Sequence, residues 1–373
     1  MSTRTTPPFR ADHVGSLLRP DWLHAARADR AAGKISAAEL RAVEDRAVRE
    51  AVALQQQAGL RSVTDGEFRR ATWHMDFVYQ IGGISKAQGN LLSTFHNESG
   101  DITFTPDAIR VDRRVTMDET IFGQDFAFLQ SIAGASVPKL TIPAPSMVHY
   151  RSGIRAVADE SVYPDAELFW ADLSAAYAEE VRRLAAQGCT YLQLDDTSLA
   201  YLNDPAQRAY VAERGEDADS MHLRYIALTN GAIAARPDGL AVTTHLCRGN
   251  FQSSWVASGG YDFVAEALFN ELAVDGFFLE YDDERSGGFE PLRFVPKGKQ
   301  VVLGLVTTKR PELESKDDLK RRIEEASRYV PLDQICLSGQ CGFASTAEGN
   351  ALTADDQKAK LELIVEVAAE VWG

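Results

Sequence analysis

Cysteine is scarce in this chain: Cys189, Cys247, Cys336 and Cys341 are the only four in 373 residues. Four cannot make the disulfide framework of a small secreted domain, so any special cysteine is expected to serve a metal or a reaction. Positive charge is also short. Thirty-nine Lys and Arg face 54 Asp and Glu, a formal charge of −15. That balance opposes nucleic acid, whose affinity comes from neutralising phosphates, and it opposes docking on anionic membranes. No apolar run reaches the roughly 18 residues that a transmembrane helix needs. Met1–Arg10 is polar and lacks the apolar core of a secretory signal, so a cytoplasmic location is expected. Neither a GxGxxG after a strand nor a GxxxxGK[ST] occurs, which leaves nucleotide-fold readings without support.

What is present is an ordinary globular composition, 45% hydrophobic and 25% charged, enough to bury a large core without metal or disulfide support. Short β-rich runs alternate with amphipathic stretches, the pattern of βαβ units and a parallel sheet. Eight candidate strands can be counted: Ala11–Leu17, Leu60–Asp65, Lys139–Pro143, Thr190–Asp195, Leu240–Leu246, Gly276–Tyr281, Gln300–Val306 and Gln334–Leu337. Ser36 with Glu39 forms a capping-box pattern that opens a helix to about Gln57, and Gly59 stops it. Further helices are expected over Pro164–Gln187, Glu216–Ala235, Tyr261–Ala273, Lys316–Tyr329 and Ala354–Val371. Residues 82–135 break the rhythm and read as an insertion of irregular or hairpin structure. The expected architecture is a single α/β domain over residues 1–373, a (β/α)₈ TIM barrel with an insertion after strand two. A doubly wound open sheet is the runner-up.

Active sites of such barrels sit at the C-terminal ends of the strands. The predicted ends carry His13-Val14-Gly15-Ser16, Asp65-Gly66-Glu67, Pro143-Ala144-Pro145-Ser146, Asp195-Asp196, His245-Leu246-Cys247, Glu280, Thr307-Thr308-Lys309 and Gly339-Gln340-Cys341-Gly342. Polar and metal-binding residue types thus collect at one end. His245 and Cys247 are two apart, so in a strand they share a face. Cys341 can add a second sulfur and Glu280 an oxygen. Two thiolates, an imidazole and a carboxylate suit a borderline-soft, redox-silent ion, zinc. Taken singly, each residue has a plainer explanation, since a lone Cys is usually a small buried hydrophobe. Cys189 and Cys336 are read that way, as core. Glu67 and Asp195, at the rim, suit an ammonium group or salt bridges to Arg69, Arg70 or Arg248.

At these residues the sequence resembles the catalytic barrel of cobalamin-independent methionine synthases. The family's H-x-C run looks like His245-Leu246-Cys247-Arg248-Gly249-Asn250-Phe251, its metal glutamate like the one ending Phe277-Phe278-Leu279-Glu280, and its last ligand turn like Gln340-Cys341-Gly342. The resemblance implies that His245, Cys247, Glu280 and Cys341 hold zinc. It also implies that Ser16, Glu67 and Asp195 hold the amino-acid end of homocysteine, from the likenesses at Val14-Gly15-Ser16, Asp65-Gly66-Glu67 and Gln193-Leu194-Asp195-Asp196. Three departures concern the methyl donor. Full-length members carry two barrels, whereas this chain has room for one. The family's Asp-Ile-His after strand seven, whose histidine serves to protonate the departing folate nitrogen, is Thr307-Thr308-Lys309 here. The Glu-Pro after the strand-four aspartate is Asp196-Thr197.

The expected activity is a zinc-dependent S-methyltransferase. A small thiol, homocysteine first, is activated as a zinc thiolate and methylated to methionine by methyl-folate or another methyl carrier. Lys309 is the candidate proton donor, with His13, His74 and His149 as alternatives. An unperturbed lysine is a weak acid near neutrality. Expected partners are the thiol and the donor, with a methyl-carrier protein or a second copy of the chain left open. Two competing readings remain. An epoxyalkane:coenzyme M transferase-like enzyme would need cations for a sulfonate, and a non-catalytic protein with structural zinc would fill all four metal positions with Cys or His.

Overall fold

The computed structural model describes residues 4–89, 93–97, 100–105, 107–150 and 153–373. Its centre is a six-stranded parallel sheet that runs in sequence order through Leu140–Pro143, Tyr191–Asp196, Ala241–Leu246, Gly276–Glu280, Gln300–Val306 and Ile335–Gly339. Every residue of these strands but Ala241 is buried, as parallel strands covered on both faces must be. Two short positions complete the ring. Ser62–Val63 pairs in parallel with Val137–Pro138, just ahead of the strand at Leu140. Ala11 bridges in parallel to Leu337 of the last strand. The result is a (β/α)₈ barrel.

The first position is a single bridge where the sequence suggests a strand over Ala11–Leu17. The Asp12 side chain explains the difference, because its carboxylate accepts the backbone N–H groups of Phe9 and His13. Side chains then tie this segment to its neighbour in place of a ladder. Ser62 Oγ donates to Asp12 Oδ1 at 3.0 Å, and Thr64 Oγ1 donates to the Gly15 carbonyl at 2.6 Å. Inside the barrel, Lys139 is fully buried against Asp12 at 3.4 Å and lies over the Phe278 ring. Tyr191 donates its hydroxyl to the other Asp12 oxygen.

Local rules place most helices. Ser36 and Glu39 form the reciprocal capping box, the helix runs Ala37–Gln57, and Gly59 follows at φ +89°. Asp165 caps Ala166–Ala186, Ser315 caps Lys316–Ala326, and Thr353 with Asp356 boxes Ala354–Trp372. Two expected helices are shorter than their patterns: Met221–Ile233 and Ala265–Glu271. Tyr261 does not join the latter because its ring covers Arg248 and its hydroxyl accepts the Glu280 N–H. Cys189 and Cys336 lie in the core, and burial pushes both thiols up to about 12. No helix among the described residues is long and apolar enough to cross a membrane.

The insertion is a nested pair of antiparallel ribbons. Gly82–Ala87 pairs with Ala108–Thr116, and within it Ser93–Asn97 pairs with Gly100–Phe104. The ribbons end at Thr116, earlier than the sequence suggests. Gly123–Ile132 is a helix packed on Ala37–Gln57. The inner ribbon reaches back to the barrel rim, where His96 and Trp255 exchange backbone hydrogen bonds of 2.7 and 2.9 Å. Phe95 meets Phe251 with ring centroids 5.4 Å apart.

Candidate metal centre and cavity

His245 is the fifth residue of its strand, and Cys247 follows the strand's end. Alternation turns both side chains to the barrel axis. Cys341 lies two residues beyond the strand Ile335–Gly339. One ligand atom from each of His245, Cys247 and Cys341 falls within 4.8 Å of the others, and all three residues are buried. The two sulfurs are 3.4 Å apart. The turn that brings Cys341 there requires Gly342, because a Cβ at that position would fall 1.9 Å from Ser16 Oγ.

Electrostatics suit a cation. Hydrogen bonds from Cys247 and His245 hold the Cys341 thiol down at about 5, against the opposing effect of burial. Burial lowers the pKa of His245, but Asp195 and Cys341 outweigh it and raise it to about 10. His245 Nδ1 sits 3.2 Å from Asp195 Oδ1 on the neighbouring strand, where Asp195 and His245 are register partners. A carboxylate on the far ring nitrogen orients a metal-binding imidazole and strengthens it as a donor.

Glu280 does not join the group of three. Its carboxylate is fully buried nearby, but Oε2 accepts the Arg248 N–H at 2.9 Å. Oε1 lies 3.2 Å from Arg285 and 3.4 Å from Lys309. Lys309 is likewise engaged. Its ammonium is 2.6 Å from Asp282 Oδ2. Burial works against that charge, yet Asp282 and Glu280 keep its pKa above the ordinary lysine value. Lys309 is not in the cavity wall. This placement argues against Lys309 as a proton donor and makes it a partner of Glu280 and Asp282.

Above the three donors opens a cavity of about 470 Å³. Ser16, Glu67 and Asp195 line it together with His245, Cys247 and Cys341, so the residues singled out from the sequence for substrate share one space with three of the four singled out for metal, and Glu280 is not in its wall. Glu67 has a left-handed backbone, φ +61°, rare for a residue with a Cβ. Its Oε1 accepts from Thr141 at 2.7 Å, while Oε2 is buried without a hydrogen-bond partner. Burial raises its pKa to about 7 against the pull of Arg70. Asp195 also accepts from Gln193 Nε2 at 2.7 Å.

Of the three histidines weighed as proton donors, only His74 lines the cavity, its ring 4.4 Å from that of Trp73. His13 is buried, and burial beside Lys139 lowers it to about 4. His149 is buried between the Tyr225 hydroxyl and Glu216. Sequence reasoning named Asn250 and Phe251 in the H-x-C run but gave them no role; Asn250 Nδ2 donates to the Gly342 carbonyl at 2.8 Å and joins the two cysteine turns. It missed Asp282 and Arg285 around Glu280, and Trp73 and Phe95 in the wall that Phe251 shares. Asn250 stood in plain sight three residues after Cys247. Nothing in the local pattern around Phe95 marks it as a rim residue.

A (β/α)₈ barrel whose strand ends gather sulfur, imidazole and carboxylates around one cavity defines an α/β-barrel protein with its site at the C-terminal rim. Residues 10–370 match the family described as cobalamin-independent synthase, catalytic domain, and the chain belongs to that family. It is 48% identical over 370 residues to the Bacillus subtilis protein YxjG, described as uncharacterized, covering 99% of this chain and 96% of that one. A Pyrococcus abyssi methionine synthase is 25% identical over 333 residues, covering 88% and 85% of the two chains. The solved structure of a Listeria monocytogenes protein, assigned provisionally as a vitamin-B12-independent methionine synthase, superposes with a TM-score of 0.77. The two share 35% identity, and the match covers 99% of this chain and 100% of that one.

Proposed function

We propose that this protein is a zinc-dependent S-methyltransferase that methylates a small thiol, homocysteine first, to give methionine. The observation that carries the reading is the convergence of His245, Cys247 and Cys341 within 4.8 Å at the floor of a cavity that also holds the unpartnered Glu67 carboxylate oxygen. Two sulfurs and an imidazole oriented by Asp195 fit zinc, and three protein donors suit a catalytic site that keeps a position for substrate. Zinc bound there would supply thiolate at neutral pH by deprotonating the thiol it coordinates.

This chain's own residues do the rest. Glu67 and Asp195 offer carboxylate oxygens to an ammonium group, and Ser16 offers a hydroxyl beside them. Holding the amino-acid end fixes the thiol over the metal donors and turns a bimolecular encounter into a positioned one. Glu280 can serve as a fourth ligand only by exchanging one of its present partners, Arg248 N–H, Arg285 or Lys309. The competing coenzyme M reading draws no support from the cavity, whose described wall contains neither Lys nor Arg for a sulfonate. We read residues 1–373 as one domain working in the cytoplasm, where thiols stay reduced.

The test is metal analysis of the purified protein, followed by methionine formation from homocysteine with a panel of methyl donors. Absence of zinc from the protein, or of methionine with every donor, refutes the reading.

A further inference from the structure

The identity of the donor is written in the charge of the cavity. Its described wall includes the acidic residues Glu67, Asp107, Asp195 and Glu348 and no Lys or Arg, while the carboxylate of Asp196, also in the lining, is held by Ser146 and Ser198. A homocysteine ammonium engages at most Glu67 and Asp195. Asp107 and Glu348 are exposed, so they stand at the solvent end, where a second substrate must enter. A cleft lined by one sign of charge concentrates ligands of the other sign and repels its own. A folate with a polyglutamate tail has the wrong sign for this entrance.

The remaining wall is aromatic. Trp73 and His74 pack together on one loop, Phe95 and Phe251 meet across the inserted ribbon, and Tyr201 completes the lining. Aromatic faces beside carboxylates form the environment that recognises onium ions, through the negative face of each ring. Phe95 comes from the insertion, which is pinned to the rim by the paired hydrogen bonds of His96 and Trp255.

The third observation concerns the leaving group. A methyl-bearing folate nitrogen departs as an amine only if an acid protonates it. The resemblance puts that acid at the position of Lys309, which lies outside the cavity wall in contact with Asp282 and Glu280, and the histidine that the described wall does hold, His74, packs on Trp73 at another loop.

We propose that the methyl donor is a cation, a methylsulfonium whose methyl group sits on a positively charged sulfur among Trp73, Phe95 and Phe251. This rests on the thiol-methylation reading above. The thiolate sulfur forms a bond to the methyl carbon as the bond from that carbon to the sulfonium sulfur breaks. The electron pair stays on the departing sulfur, which leaves as a neutral thioether. The step needs no proton, so neither His74 nor Glu67 in the wall has to act as an acid, and the two opposite charges cancel within the cavity.

The experiment supplies the zinc-loaded full chain with homocysteine deuterated in its carbon backbone and, in parallel, S-methylmethionine, methyl-tetrahydrofolate triglutamate or methylcobalamin, so that methionine made from the acceptor is distinct from the methionine that S-methylmethionine leaves behind. Labelled methionine is read by mass spectrometry. Turnover is expected with S-methylmethionine, at a kcat/KM above that with either other donor. Phe95→Leu should raise the KM for the sulfonium by roughly 2- to 30-fold, the range of a cation–π contact, and leave the KM for homocysteine unchanged. Binding of trimethylsulfonium followed by calorimetry should weaken by the same factor. Methionine from methyl-folate or methylcobalamin with equal or greater efficiency overturns the proposal and leaves the thiol-methylation reading standing. No methionine from any donor overturns both. A Phe95→Leu protein with unaltered sulfonium binding overturns the assignment of the aromatic wall.

Discussion

Glu67 carries two opposing consequences that one substitution separates. Its side chain is 3% exposed, its Oε2 has no hydrogen-bond partner, and burial raises its pKa from 4.5 to about 7. An acid whose folded-state pKa lies above its unfolded value binds more protons when folded. Stability therefore falls as pH rises from about 4.5, and the loss is complete above about 7. At about 1.4 kcal/mol per pH unit the ionised carboxylate costs the empty protein about 3 kcal/mol at pH 8 and little at pH 4.5. Glu67→Gln keeps the shape and the hydrogen bond with Thr141 and removes the charge. Urea unfolding of the ligand-free protein should find the variant more stable than the parent at pH 8, by up to about 3 kcal/mol, with the difference shrinking towards pH 5.

The same substitution should injure binding. A hydrogen bond to a charged group is worth about 1.5–3 kcal/mol, so the KM for homocysteine should rise roughly 10- to 150-fold. An analogue without the amino group, 4-mercaptobutyrate, separates ammonium recognition from general damage. The parent should prefer homocysteine strongly, and the variant should lose most of that preference. A variant that is less stable at pH 8, or that still discriminates by the amino group as the parent does, refutes the role given to Glu67.

The metal centre makes sharper demands. Cys247→Ser or Cys341→Ser should each strip zinc to well below one equivalent by metal analysis and abolish methionine formation, because each removes one of two sulfur donors. Asp195→Asn should weaken zinc roughly 10- to 100-fold in a chelator competition, the cost of losing the carboxylate behind a metal-binding imidazole. Gly342→Ala places a methyl group 1.9 Å from Ser16 Oγ and should weaken zinc by displacing the Cys341 turn, with helicity by circular dichroism retained. Lys309→Met leaves Asp282 and Glu280 buried without their ammonium and should destabilise the protein by about 3–5 kcal/mol in urea. In what remains folded it should leave the acidic and basic limbs of the pH–rate profile in place, because Lys309 lies outside the cavity wall, paired with Asp282 and Glu280.

The barrel and the position of its candidate site were legible in the sequence for one reason. Parallel strands covered on both faces read as apolar runs, and the polar residue that ends each run marks the rim. His245 and Cys247 fall on the same side because a strand repeats every two residues, and that geometry needs no tertiary information. The first barrel position was harder. Ala11–Leu17 has the composition of a strand, but the Asp12 carboxylate takes the amides of Phe9 and His13, and a single bridge at Ala11 survives. A side chain that competes with the ladder for its own backbone leaves no trace in hydrophobic periodicity.

Lys309 shows where local reading ends. Its position after strand seven supports a role at the rim, and the sequence places it there correctly. What it does depends on Asp282, two residues past Glu280 on the adjacent strand, and on which side of that strand end the turn runs. Strand pairing sets Glu280 beside Gly304, so the residue that follows Val306 by three meets the acids that follow Leu279. An ammonium beside two buried carboxylates is fixed by their charge before any substrate arrives, and it is held outside the cavity wall. The same contact restrains Glu280, which Arg285 and the Arg248 amide hold from two further sides. A carboxylate with that many partners yields to a metal only if the metal's attraction exceeds theirs. The zinc affinity of Lys309→Met should therefore exceed that of the parent wherever the variant is folded, because one competitor for Glu280 has gone. A competition titration that finds equal or weaker zinc binding in the folded variant would mean that Glu280 takes no part in holding the ion.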